Sequence, residues 1–173
     1  QNKMYDGVTS VTSSALGTGY SVAGLVGSQS LSAVTLAYDS KNAGTRTITA
    51  SDAVAGANTL LSNYDVQYVS NAASTITPYV VSLTGTRTYD ATRDVASGVL
   101  TIGTLVGSEG LTLTGIGTLT GTKDVGDDKA FDINTLTLGD GDNGGLATNY
   151  TLVGGNRTVD ITRATISAVS GIT

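Results

Sequence analysis

The sequence predicts an all-β protein made of two tandem small antiparallel β-sandwich units with Greek-key, immunoglobulin-like wiring. Three observations carry that expectation. Thr and Val crowd a helix but fit a pleated sheet, and both recur throughout, while 23 Gly against one Pro supply turns without a collagen or polyproline period. Apolar residues alternate over short stretches, and no helical period extends beyond a few turns. Five sequence blocks recur in one order in the two halves of the chain.

Taking the blocks in order, Tyr5-Asp6 returns 84 positions later as Tyr89-Asp90. LVGSQSL from Leu25 answers LVGSEGL from Leu105, and SKNAGTRT from Ser40 answers TKDVGDDK from Thr122. SNYDV around Tyr64 answers TNYTL around Tyr150, and TITPYVVSLTG from Thr75 answers DITRATISAVSG from Asp160. All spacings lie between 80 and 86 residues. Chance matches would not stay collinear, so the expected units are residues 1–85 and 86–173. The junction VVSLTGTRTYD contains no flexible tether, so the units are expected to fold alike and lie end to end. A chain that opens just before one Tyr-Asp and stops inside the block leading toward another reads as a two-unit window of a longer array.

Within the first unit, SAVTLAYD places Val34, Leu36 and Tyr38 on one strand face, and YDVQYVS does the same for Tyr64, Val66 and Tyr68. In the second, AFDINTLTL sets Phe131, Ile133, Thr135 and Thr137 against Asp132, Asn134, Leu136 and Leu138, a less clean division. SDAVAGANTLLSN is the best helical candidate, as a short connecting turn ahead of Tyr64. Tyr64 and Tyr150 each open a strand after a loop, the place of a tyrosine corner whose hydroxyl caps backbone a few residues upstream. The competing reading is an ordinary half-buried strand tyrosine.

Composition excludes several function classes. The net charge is −5, and the nine basic residues are scattered singly, so nucleic acid is not an expected partner. No apolar run is long enough to span a bilayer as a helix. The chain has no Cys and no His, which removes a disulfide framework, the commonest general base, a thiolate nucleophile and the favoured zinc ligands. An enzyme is therefore not expected.

The acidic loop LGDGDNGGLATNY presents Asp140, Asp142 and Asn143, oxygen ligands interleaved with Gly that form a calcium candidate. It lacks the closing Glu of an EF-hand, and the first unit has no counterpart; a solvated turn is the competing reading. A flexible loop also does not hold two carboxylates across a cleft as a glycosidase requires. Lys3, Lys41, Lys123 and Lys129 sit in polar, turn-like sequence, unsuited to the buried Lys of an isopeptide bond. The acceptor patterns at Asn149 and Asn156 arise readily by chance in so Thr-rich a chain. The Tyr-Asp pairs combine an amphipathic ring with an Asx turn, and Gly7 permits positive φ. They read as an inter-repeat joint formed by Tyr5, Asp6, Tyr89 and Asp90, with Tyr89 packed against residues 80–83 and more buried than Tyr5. The alternative is an exposed carbohydrate-stacking platform.

The order Lys/Arg-x-Tyr-Asp-Gly, Leu-Val-Gly-Ser, Lys-Asn-Ala-Gly-Thr, Asn-Tyr and Ile-Thr-Pro resembles the YDG repeat found in tandem in large secreted bacterial adhesins of the filamentous-haemagglutinin type. The resemblance covers essentially the whole chain twice. The second copy departs from it with Ala91 for Gly and Arg163 for Pro. It implies an extracellular or cell-surface, β-rich stalk segment and no reaction centre. The expected role is a structural spacer in an adhesin, serving adhesion or a biofilm matrix, whose partners are neighbouring repeats of the same chain. The alternatives are a self-assembling extracellular filament subunit that pairs with other copies of itself, and a module that binds carbohydrate or a host protein.

Overall fold

The computed structural model describes residues 1–167 and 171, so the end of the block beginning at Asp160 lies partly outside the described residues. The chain divides into two compact units, Gln1–Tyr79 and Val80–Thr173. The division falls six residues before the expected position. Residues 80–83 belong to the second unit because Val81 N–H donates to Thr151 O (2.9 Å) and Leu83 N–H to Asn156 O (2.8 Å).

The fold is all-β, as predicted. Strands β1 (Asn2–Met4), β2 (Leu31–Tyr38), β3 (Gly44–Ala55) and β4 (Asn71–Thr77) form the sheet of the first unit, in the order β1-β4-β3-β2. The division falls within β5 (Tyr79–Val80). The second unit carries β6 (Leu83–Thr88), β7 (Asp94–Ala96), β8 (Leu100–Ile102), β9 (Leu111–Thr114), β10 (Ile116–Leu119), β11 (Gly126–Asp132), β12 (Thr137–Asp140), β13 (Tyr150–Thr151) and β14 (Arg157–Thr162). Its main sheet runs β7-β10-β11-β14-β6-β8, and β12 pairs with β9 separately.

The order β6-β14-β11-β10 reproduces β1-β4-β3-β2 strand for strand. Register confirms the match: Lys3 faces Ile76 as Arg87 faces Ile161, and Tyr38 faces Ile48 as Leu119 faces Phe131. In both units the central pairs are antiparallel, but the first and last strands run parallel, β1 with β4 and β6 with β14. The sheets are therefore mixed, a departure from purely antiparallel wiring. The alternation of side chains did not reveal this, because it is the same in either pairing sense.

SAVTLAYD buries Val34 and Tyr38 as its period requires. The stretch after Tyr64 forms no strand, and of the helical candidate only Leu61–Asn63 is helical, as a 3-10 segment directly before Tyr64, while its first five residues belong to β3. AFDINTLTL is broken by a turn in which Leu136 N–H donates to Ile133 O (2.7 Å), so Phe131 and Leu136 are both buried despite opposite parity.

The cores differ in quality. Tyr5, Val34, Tyr38, Ile48 and Ile76 are buried in the first unit. In the second the same level of the sheet holds Leu119, Phe131, Val159 and Ile161, and Val81, Leu83, Leu136 and Leu152 are buried as well. Buried Ser74 occupies the position of Val159. Tyr5 is 1% exposed whereas Tyr89 is half-buried, which reverses the expected ranking. Tyr5 closes a small core and has no larger apolar layer beside it to share that task. Accordingly, Tyr5→Ala should cost about 3 kcal/mol or more, well above the penalty of Tyr89→Ala, as read from urea unfolding.

Candidate functional site

The two Tyr-Asp blocks form the same backbone device. Each Tyr follows the strand that pairs in parallel, and its N–H extends that ladder: Tyr5 donates to Thr77 O (2.8 Å), Tyr89 to Thr162 O (2.9 Å). The next residue closes an Asx turn. Asp6 Oδ1 accepts the Val8 N–H (3.1 Å) and Asp90 Oδ1 the Thr92 N–H (2.9 Å). The basic residue three positions earlier completes a clip. Lys3 Nζ donates to Asp6 Oδ1 (2.7 Å), Val8 O (2.7 Å) and Ser10 O (2.9 Å), and lies 5.2 Å from the Tyr38 ring centroid. Arg87 donates to Asp90 Oδ1 and to Thr92 O (2.9 Å).

The Lys3 side chain is therefore buried, contrary to its turn-like sequence, but every proton on its ammonium has an acceptor. Arg87 fills the same role, with its Nε buried and unpartnered among the described residues. A guanidinium accepted in place of an ammonium points to charge and hydrogen bonding, not to amine chemistry.

Burial raises the pKa of Asp6, but the Lys3 hydrogen bond, the Val8 N–H and the Lys3 charge outweigh it and hold the carboxyl below its ordinary value. The Thr92 N–H and hydroxyl, with Arg87, hold Asp90 below its ordinary value too. Burial, then the Asp6 charge, pushes the Tyr38 phenol up.

After the Asp comes a residue in the left-handed region, Gly7 at φ 80° and Ala91 at φ 63°. Only the first is free of Cβ crowding there.

Tyr64 and Tyr150 build a second device shared by the two units. Tyr64 Oη accepts the Val26 N–H (3.2 Å) and its hydroxyl donates to Gln29; Tyr150 Oη accepts the Val106 N–H (3.1 Å) and its hydroxyl donates to Glu109 Oε2 (2.7 Å). The hydroxyl does cap upstream backbone. Its target, however, is the Leu-Val-Gly-Ser turn, 38 and 44 residues away, where Gly27 and Gly107 take φ 63° and 59°. This is a long-range latch, not the short loop of a tyrosine corner.

In the acidic loop, Asp140 Oδ1 accepts the Ala147 N–H (2.7 Å), and Asn143 Nδ2 donates to Ser108 O (2.8 Å). Asp142 contributes its backbone carbonyl to the N–H groups of Gly110 (2.9 Å) and Gly145 (3.1 Å). These residues brace the turn, and among the described residues no three Asp, Glu, His or Cys side chains gather as a metal-holding group. Asn149 is fully buried.

The clip geometry makes two measurable demands. Ala91→Gly should stabilise the second unit by about 1 kcal/mol and Gly7→Ala should destabilise the first by a similar amount, measured by denaturant unfolding. Because both clip carboxyls titrate below the ordinary value of 3.8, their contribution is complete above that pH and is lost as pH falls through the lower folded values. Melting temperature should therefore drop below about pH 4, and Asp6→Asn with Asp90→Asn should flatten that slope.

The family model for the YDG domain matches residues 71–159, from the first residue of β4 into β14, slightly more than half of the chain. No match is found among curated proteins or among solved structures. A match over more than half of the chain shows that it belongs to the YDG domain family.

Proposed function

We propose that the chain is a pair of load-bearing spacer repeats from a bacterial cell-surface or secreted adhesin, extracellular and without catalytic activity, serving adhesion or a biofilm matrix. The observation that supports this reading is the parallel pairing of the first and last strands in each unit. A chain pulled from its two ends draws parallel neighbours past one another. All ladder hydrogen bonds between them then resist together, whereas antiparallel neighbours pulled from adjacent ends would unzip one bond at a time. Six residue pairs join β6 to β14, and three join β1 to β4.

The clips add to this resistance because they tie the chain at the point where it leaves the loaded strand. The polar groups of the clips, the latches and the acidic loop are engaged in holding turns and loops, as befits a spacer. Single-molecule pulling on the chain should give two unfolding events above the low-force range of unzipping, the weaker from the first unit. A low-force plateau for both units would overturn the reading. Specific retention of a polysaccharide on a glycan array would favour the binding-module alternative.

A further inference from the structure

Basic residues are scattered singly along the sequence, but the fold of the second unit gathers three of them at one turn. The turn between β10 and β11, residues 120–125, and Arg93 beside it border an open cleft of about 760 Å³, whose walls carry Thr120, Thr122, Lys123 and Asp124. Arg93 Nε donates to Leu119 O (3.0 Å) and Nη2 donates to the same carbonyl, which fixes the guanidinium at the end of β10. Its Nη1 has no partner among the described residues, and neither has the ammonium of Lys123, an exposed residue. Lys129 reaches the turn from β11 and donates to Thr122 Oγ1 (3.2 Å).

The first unit builds the same turn with different chemistry. Thr9 holds the place of Arg93, because Tyr38 N–H donates to Thr9 O (2.9 Å) as Leu119 N–H donates to Arg93 O (2.9 Å). Asp39 holds the place of Thr120, since Asp39 N–H donates to Thr47 O (2.9 Å) as Thr120 N–H donates to Ala130 O (3.1 Å). From the first unit to the second, a neutral residue becomes a cation and a carboxylate becomes a hydroxyl. Arg46, the counterpart of Lys129, turns its donors inward to Asn42 O (2.7 Å) and Ala43 O (2.8 Å) of its own turn. The second turn is also one residue longer, residues 120–125 against 39–43. The ladder bonds are the same in both units, so these exchanges alter the surface and leave the fold as it is.

We propose that this cleft binds a carboxylate-bearing sugar of an acidic polysaccharide. Arg93 and Lys123 supply the cations for the carboxylate, and the hydroxyl of Thr122 lies in the same cleft for the polar groups of the ring. Asp124 selects among polyanions. Sugar hydroxyls donate to its carboxylate, whereas the phosphate backbone of duplex DNA offers it only acceptors and is repelled. Exposed charge pairs are individually weak and screened by salt, so the site holds one sugar loosely and is sensitive to ionic strength. It adds an attachment point to the proposed spacer without depending on that role. A binding module would need the site in each unit, and the exchanges at Arg93 and Thr120 confine it to the second.

Titration with polygalacturonate at low ionic strength, followed by backbone NMR shifts, tests it; fully methyl-esterified polygalacturonate and a DNA duplex serve as comparison probes. Polygalacturonate should shift the resonances of Arg93 and residues 120–124, the neutral ester should not, and added salt should reverse the shifts. Lys123→Ala, at an exposed position without a partner among the described residues, should leave the melting temperature unchanged and weaken binding by roughly two- to fivefold. Arg93→Ala together with Lys123→Ala should remove it. The force at which each unit unfolds should be the same with and without Lys123→Ala, so the site and the spacer role fail separately. No binding at low ionic strength, equal binding of the ester, tighter binding of DNA, shifts centred elsewhere, or binding indifferent to both variants overturns the proposal.

Discussion

Each unit depends on one constraint, the parallel pairing of its first strand with its last. Parallel neighbours cannot be joined by a tight turn, so everything between β1 and β4, or β6 and β14, has to form the long return path. That path supplies the antiparallel strands that cover the other edge of the closing strand. The hydrophobic residues at the centre, Ile76 and Ile161, sit on that closing strand, so the core and the pairing form together. Loss of the parallel contact would leave the last strand paired on one side only and open the apolar layer to water.

Two polar devices hold the return path in place, and the repeat shows which features of each are indispensable. In the clip, Lys3 and Arg87 differ in shape but both carry a cation to an Asp and to backbone carbonyls. In the latch, Gln29 and Glu109 differ in charge but both accept from a Tyr hydroxyl that in turn accepts a backbone N–H. A buried or half-buried backbone group left without a partner costs as much as a lost hydrogen bond. The device that satisfies it persists in both units while the side chains that build it vary.

The units differ in how fully the same plan is carried out. In the second, Val81 and Leu83 complete the core and the ladders of β6 and β8 are continuous. In the first, Ser74 stands where Val159 packs, and Tyr5 contributes apolar area that the second unit obtains from several side chains. The same sequence pattern around Tyr64 and Tyr150 thus forms a strand in one unit and coil in the other. A strand is a property of two segments, not one.

Much of this was legible in the sequence. The duplication, the all-β character, the faces of SAVTLAYD and the turn chemistry of Tyr-Asp-Gly derive from local preference and from collinear spacing, both of which act within a few residues or within one repeat. The sense of strand pairing, the burial of Lys3, the 38- and 44-residue reach of the two latches and the ranking of Tyr5 above Tyr89 do not. Side-chain alternation is indifferent to strand direction, and the burial of a residue depends on which distant segment arrives to cover it. Residues 80–83 look like any short apolar run, and only the tertiary structure shows them closing the core of the second unit, because a strand gains its partners only once the rest of the sheet is built.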